Sequence, residues 1–126
     1  LQKTARDFAQ REVAPVAAKL DEEHRFPSEL VRRMAEMGLL GLPFAEDDGG
    51  VGAGPVEIGI VCQELGRVAA PEPYLAAVVM AGGLVAACGT AEQRAAIVTP
   101  LAAGESIPAK TACARAPPNP SQPKAR

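Results

Sequence analysis

The chain contains 126 residues, a length that fits one domain with a single hydrophobic core. Its 13 basic and 15 acidic side chains give a net charge of −2, and it has one Tyr, three Phe and no Trp. This composition argues against a nucleic-acid partner, which would require a basic surface and stacking rings. Three cysteines without a CxxC pair argue against a disulfide framework and a cysteine zinc site, and they predict a cytoplasmic protein.

The first predicted helix is long and interrupted by a proline. Its apolar positions recur with a period near 3.6 residues: Leu1, Ala5, Phe8, Val16 and Leu20. Pro15 is expected to kink this helix, because it has no N–H and its ring crowds the carbonyl four residues earlier. A second helix is predicted to begin at Pro27 and to stop at Gly38. Its apolar face is Leu30, Val31, Met34 and Met37.

A glycine-rich loop over residues 41–55 leads to a third helix. The segment GGVGAG at 49–54 lacks the third glycine of a dinucleotide-binding motif and the lysine of a P-loop, so a tight backbone turn is favoured over a phosphate cradle. Pro55 is expected to begin the third helix. Its inward positions are Ile58, Val61, Cys62, Leu65 and Val68. The charges of Glu64 and Arg67 are predicted to face solvent.

The fourth predicted helix, 73–88, lies in a stretch of 19 residues, 73–91, that has no charge. This length approaches what a bilayer requires, but the stretch contains several glycines and has no basic flanks, so we expect a buried helix of a soluble bundle and no membrane span. Thr90 with Gln93 predicts a capping box that opens a fifth helix, which Pro100 kinks or ends. Its predicted apolar face is Ala96, Ile97 and Leu101. Because no segment over 1–105 alternates with a period of two, the sequence predicts an all-α helical bundle.

The last 21 residues, 106–126, differ in composition from the rest. They hold five prolines, four basic residues and no acid, whereas residues 1–105 hold nine basic residues against all 15 acids. Such a segment buries too little apolar surface to offset the entropy of ordering it. We therefore predict a domain over 1–105 and a disordered tail over 106–126.

Few residues are candidates for chemistry. His24 is the only histidine and lies in a charged connection between helices, and no arrangement of nucleophile, histidine and acid can be assembled from the sequence. The acids at 46–48 lack the spacing of a calcium loop and are expected to form a polar turn. No catalytic, cofactor-binding or metal-ligating residue is predicted.

Several short stretches, taken in order, resemble the N-terminal helical domain of the acyl-CoA dehydrogenase family. They are FAQREVAP at 8–15, MGLLGL at 37–42, GGVG at 49–52, CQELGR at 62–67, GTAEQ at 89–93 and PLAAGE at 100–105. Each stretch is weak alone, but their shared order over 1–105 is specific. After residue 105 the family continues into a strand and a Thr-Glu-Pro motif that this chain does not match, so we predict a truncation or a frameshift there.

The resemblance implies the α,β-dehydrogenation of an acyl-CoA thioester by a glutamate base and FAD. The family places its flavin contacts and its base mainly in later domains, so no FAD is expected to bind this chain alone. It also implies that the fourth helix forms one wall of the acyl pocket, through Ala76, Ala77 and Met80. The small alanines would leave room for a bulky acyl group; the alternative is that all three are ordinary core residues.

Three functional hypotheses remain open from the sequence. The chain is an inactive part of a dehydrogenase, one half of a split enzyme whose partner chain supplies the missing middle and C-terminal domains, or a non-enzymatic helical interaction module. In each case the apolar faces that the intact family buries would be exposed, so self-association is expected.

Overall fold

The computed structural model describes residues 1–71 and 73–107, and in these residues every regular element is helical. The predicted all-α fold is thereby confirmed. The elements are α1 (Gln2–Phe8), π1 (Ala9–Val13), α2 (Ala14–Glu22), α3 (Ser28–Glu36), a 3₁₀ turn (Glu46–Asp48), α4 (Pro55–Arg67), π2 (Tyr74–Gly82), α5 (Gly83–Cys88) and α6 (Ala91–Ala102). Because π2 runs directly into α5, residues 74–88 form one helix, called the wall helix below.

The first helix runs without a break through α1, π1 and α2, and it accommodates Pro15 by a local widening. Pro15 is the second residue of α2, so the wider π turn ends just before it. The wider π turn rotates the following residues relative to a regular helix. As a result Ala17 is buried, whereas Val16, predicted to face inward, is exposed.

The next two helices begin and end close to their predicted residues. Pro27 directly precedes α3, and the chain leaves that helix through Gly38 at a left-handed φ of +72°. Pro55 is the first residue of α4. These boundaries depend on local backbone preferences, which the sequence displays directly.

The last helix, α6, opens with the predicted capping box. The Thr90 hydroxyl accepts a hydrogen bond from the Gln93 backbone N–H at 3.3 Å, and the Gln93 side chain accepts one from the Thr90 N–H at 2.9 Å. Its predicted apolar face is partly wrong, since Ala96 and Ile97 are exposed. The buried face consists of Val98, Leu101 and Ala102. Both sets fit a period of 3.6, so periodicity alone could not choose between them.

The packed region extends beyond the predicted boundary at residue 105. The chain turns at Gly104, and Ile107 is buried in the hydrophobic core. Residue 107, assigned to the tail from composition, therefore belongs to the folded body. The rest of the predicted tail, 108–126, lies outside the described residues.

Candidate functional site

The glycine-rich loop directs its backbone donors into its own turn. Its N–H groups donate to carbonyls of the same loop over 2.7–3.0 Å: Gly50 to Ala45, Val51 to Gly41, Gly52 to Phe44 and Ala53 to Leu42. A phosphate cradle requires N–H groups that point at the ligand. The loop therefore does not fit the diphosphate of a dinucleotide or a flavin. Gly50 instead permits a close approach to the backbone of Phe44, and Gly49 and Gly52 adopt left-handed φ angles within the turn.

The wall helix has two apolar faces, of which one is covered. Its inner face lies in the core and consists of Tyr74, Ala77, Val78 and Gly82. On the outer face Met80 is 64% exposed and Leu84 is 66% exposed, and Ala76 is exposed as well. The expectation of a fully buried helix is therefore wrong in this chain, because the described elements pack against one side of it only.

The three predicted pocket residues do not share one face. Ala76 and Met80, four residues apart, lie on the outer face, whereas Ala77 is buried in the core. Residues 73–89 contribute no charged side chain, so this face can contact an apolar group but has no acid or base of its own. In the described residues no helix combines the length and apolar character that a membrane crossing requires.

Phe44 of the glycine-rich loop and Leu101 of α6 form the surface against which the wall helix packs at Gly82. Both side chains are fully buried and lie against Gly82. A β-carbon added at Gly82 would lie 2.6 Å from Cζ of Phe44 and 2.7 Å from Cδ2 of Leu101. The helix can approach this closely only because residue 82 has no side chain.

Glu64, predicted to face solvent, is instead 1% exposed. Its carboxylate accepts hydrogen bonds from Nε of Arg6 at 3.1 Å and Nη2 of Arg6 at 2.8 Å, and Nε of Arg67 lies 3.6 Å away. The bidentate hydrogen bond from Arg6 holds the pKa of Glu64 below its usual value. One signal was available in the sequence, since Glu64 follows the buried Val61 by three residues on the same helix.

The acidic turn at 46–48 is tied to the end of the wall helix by one arginine. Nε of Arg94 lies 3.6 Å from Oδ1 of Asp48, and Nη1 of Arg94 donates to the Gly89 carbonyl at 3.2 Å. Arg94 thus links the loop that carries Phe44 to the end of the wall helix. Elsewhere His24 is exposed, and no group of three metal-ligating side chains occurs over 1–71 and 73–107.

Comparison with known proteins gives consistent matches. The family described as "Acyl-CoA dehydrogenase, N-terminal domain" matches residues 1–105. The short-chain specific acyl-CoA dehydrogenase of Clostridium acetobutylicum is 38% identical over 104 residues, which are 81% of this chain and 27% of that protein. The human short-chain specific mitochondrial enzyme is 36% identical over 109 residues, 85% of this chain and 26% of that protein.

Solved structures agree with these matches. A putative acyl-CoA dehydrogenase from Mycobacterium smegmatis superposes with a TM-score of 0.71 at 35% identity, covering 85% of this chain and 29% of that one. The chain thus spans little more than a quarter of the length of these relatives.

Proposed function

Because this chain belongs to the acyl-CoA dehydrogenase family through its N-terminal domain, we propose that it forms one wall of the acyl site of a flavin-dependent acyl-CoA dehydrogenase. In that reaction a base removes the α-proton of an acyl-CoA thioester, and FAD supplies the hydride acceptor. The observation that carries the proposal is the outer face of the wall helix, which is apolar, uncharged and uncovered.

The outer face suits a flexible hydrocarbon chain. Each methylene group of an acyl chain buried against it contributes about 0.8 kcal/mol to binding. Ala76 leaves room beside the helix, and the unbranched thioether of Met80 can adapt to chains of different shape. Ala77, on the inner face, supports this wall from the core side.

We propose that the FAD site and the catalytic base lie outside residues 1–105. The glycine-rich loop does not fit a diphosphate, and the wall helix carries no acid. Domains corresponding to the rest of the relatives, on the same polypeptide or on a partner chain, would supply both groups. A cytoplasmic location also remains a proposal, which cell fractionation can test.

A chimeric enzyme tests the wall assignment. Residues 1–105 replace the matched segment of the Clostridium enzyme, and kcat/KM is measured with butanoyl-CoA and octanoyl-CoA. Met80→Trp is expected to lower kcat/KM for octanoyl-CoA roughly tenfold more than for butanoyl-CoA, because the larger ring narrows the acyl site. Val56→Trp, at an exposed apolar position of α4, is the matched control. If Met80→Trp changed the ratio of kcat/KM for the two substrates no more than Val56→Trp does, the wall assignment would be rejected.

The purified full chain tests whether FAD and base lie elsewhere. It is expected to show no visible flavin absorption and to leave an electron-accepting dye unreduced in the presence of acyl-CoA. A yellow protein that oxidises a thioester unaided would overturn that part of the proposal.

A further inference from the structure

The two faces of the wall helix point in opposite directions. The inner positions 74, 78 and 82 and the outer positions 76, 80 and 84 form two stripes that are offset by two residues. Residues 74–82 form π2, whose i→i+5 turns are wider than those of an α-helix, so two residues correspond to slightly less than half a turn and the two stripes lie on nearly opposite sides. A force on the inner stripe therefore moves the outer stripe away from the core.

Gly82 is a position at which two core side chains lie very close to the backbone of the wall helix. An added β-carbon would overlap the ends of the Phe44 and Leu101 side chains, both of which are fully buried in the core. Phe44 is also held by its backbone, whose N–H donates to Gly41 at 3.2 Å and whose carbonyl accepts from Gly52 at 2.7 Å. Packed interiors transmit such an overlap to whatever can move. The side that can move here is the outward one, where Met80 and Leu84 face open space.

We propose that Gly82 is a positioning residue for the acyl site: by letting the wall helix settle onto Phe44, it sets how far the outer face protrudes toward the substrate. This inference rests on the proposed function. A side chain at residue 82 would push the wall outward and shorten the acyl chain that the site accepts, although residue 82 itself touches no substrate.

The first measurement uses the full chain. In a crystal structure of Gly82→Ala, the separation between Cα of residue 82 and Cζ of Phe44 should increase by roughly 1 Å relative to the unsubstituted chain, as relief of the overlap requires. Gly59→Ala is the matched control, because a β-carbon there meets nothing within 4 Å. An unchanged separation in Gly82→Ala, with Phe44 and Leu101 rearranged instead, would overturn the inference.

The second measurement uses the chimeric enzyme. Gly82→Ala is expected to lower kcat/KM for octanoyl-CoA roughly tenfold more than for butanoyl-CoA. Phe44→Leu in the same molecule should restore part of the ratio, because it removes the overlap with the ring while the contact with Leu101 remains. Equal losses for both substrates, or no recovery with Phe44→Leu, would indicate a merely structural role and overturn the inference.

Met80→Trp distinguishes a failure of the inference about Gly82 from a failure of the proposed function. If Met80→Trp changes the selectivity and Gly82→Ala does not, the inference about Gly82 fails and the proposed function stands. If neither substitution changes the selectivity, the wall assignment itself fails.

Discussion

At the scale of single residues, the buried carboxylate of Glu64 distinguishes this fold from one held by apolar contacts alone. Arg6 of α1 neutralises a side chain of α4 that is 1% exposed. Glu64 is buried although Arg6 is 43% exposed, so removing Arg6 leaves a buried carboxylate with only Arg67, at 3.6 Å, beside it, which costs more than removing a surface pair. The Arg6–Glu64 pair therefore fixes how α1 lies against α4.

Arg6→Ala is expected to lower the Tm by roughly 5–10 °C, measured by circular dichroism, because the buried carboxylate loses its bidentate partner and keeps only Arg67. Arg33→Ala, which removes ion pairs with the exposed Glu12 and Glu36, should change the Tm by only a few degrees. Adding Glu64→Gln to Arg6→Ala should recover part of the loss, since it removes the unpaired charge. Equal effects of the two arginine substitutions would contradict this account.

The same pair predicts a pH dependence of stability. Arg6 lowers the pKa of Glu64 in the folded state below the ordinary value of 4.5. The ionised carboxylate therefore stabilises the fold above that value, and the contribution is lost as the pH falls through the folded-state pKa. The difference in Tm between the unsubstituted chain and Glu64→Gln should be full at neutral pH and shrink on acidification below 4.5. A difference that is constant across this range would rule out the linkage.

Two glycines with the same backbone conformation allow strain to be separated from packing. Gly38 and Gly104 have φ of +72° and +74°, but a β-carbon at Gly38 meets nothing within 4 Å, whereas one at Gly104 would overlap Ala35. Gly38→Ala should lower the free energy of unfolding by about 1 kcal/mol, and Gly104→Ala by roughly 1–3 kcal/mol more. Urea denaturation checks both values, and equal losses would mean that the contact with Ala35 is relieved without cost.

At the scale of elements, the start of α6 depends on a reciprocal pair of hydrogen bonds between Thr90 and Gln93. Thr90→Ala removes an acceptor for a backbone N–H and should lower the free energy of unfolding by about 1 kcal/mol. Thr90→Ser keeps the hydroxyl and is the matched control, for which little change is expected. Urea denaturation of both variants measures the contribution, and equal losses would argue against capping.

The ends of the helices could be predicted from the sequence, but not all of their faces. Pro55, Gly38 and the capping box act through local backbone geometry, so they mark boundaries wherever they occur. The inward turn of Ala17 instead of Val16 depends on π1, and the burial of Glu64 depends on Arg6, which is 58 positions away in the chain. Such features follow from contacts between elements, which periodicity does not record.

The absence of charges identified the wall helix in the sequence, but it gave no indication of which side of the helix faces the core. A segment without charges over 73–91 indicates an unusual helix, but a helix that is apolar on every side gives no hydrophobic direction. The family resemblance selected Ala76, Ala77 and Met80. Only the packing of the helix against the core, in which Ala77 is buried while Ala76 and Met80 are exposed, separates the outer residues from Ala77.

At the scale of the whole molecule, the uncovered wall helix determines how the isolated chain should behave. Contiguous apolar surface of this kind marks a contact with another protein surface or a ligand. In a complete dehydrogenase we propose that substrate and further domains cover it. Without them, two copies can remove this surface from water by placing their outer faces together, so the isolated chain is expected to self-associate.

Sedimentation velocity over a range of concentrations measures this tendency. The full chain should shift to larger species as its concentration rises, and the double substitution Met80→Glu, Leu84→Glu should return it to monomer, because apposed faces would then bring like charges together. Val56→Glu places the same charge on an exposed apolar residue of α4 and should leave the association unchanged. If Val56→Glu also returned the chain to monomer, the added negative charge, and not the loss of contact between outer faces, would explain the change in association. A monomer at every concentration would mean that the outer face is too small to hold two copies together, and that only a ligand or a larger partner surface can cover it.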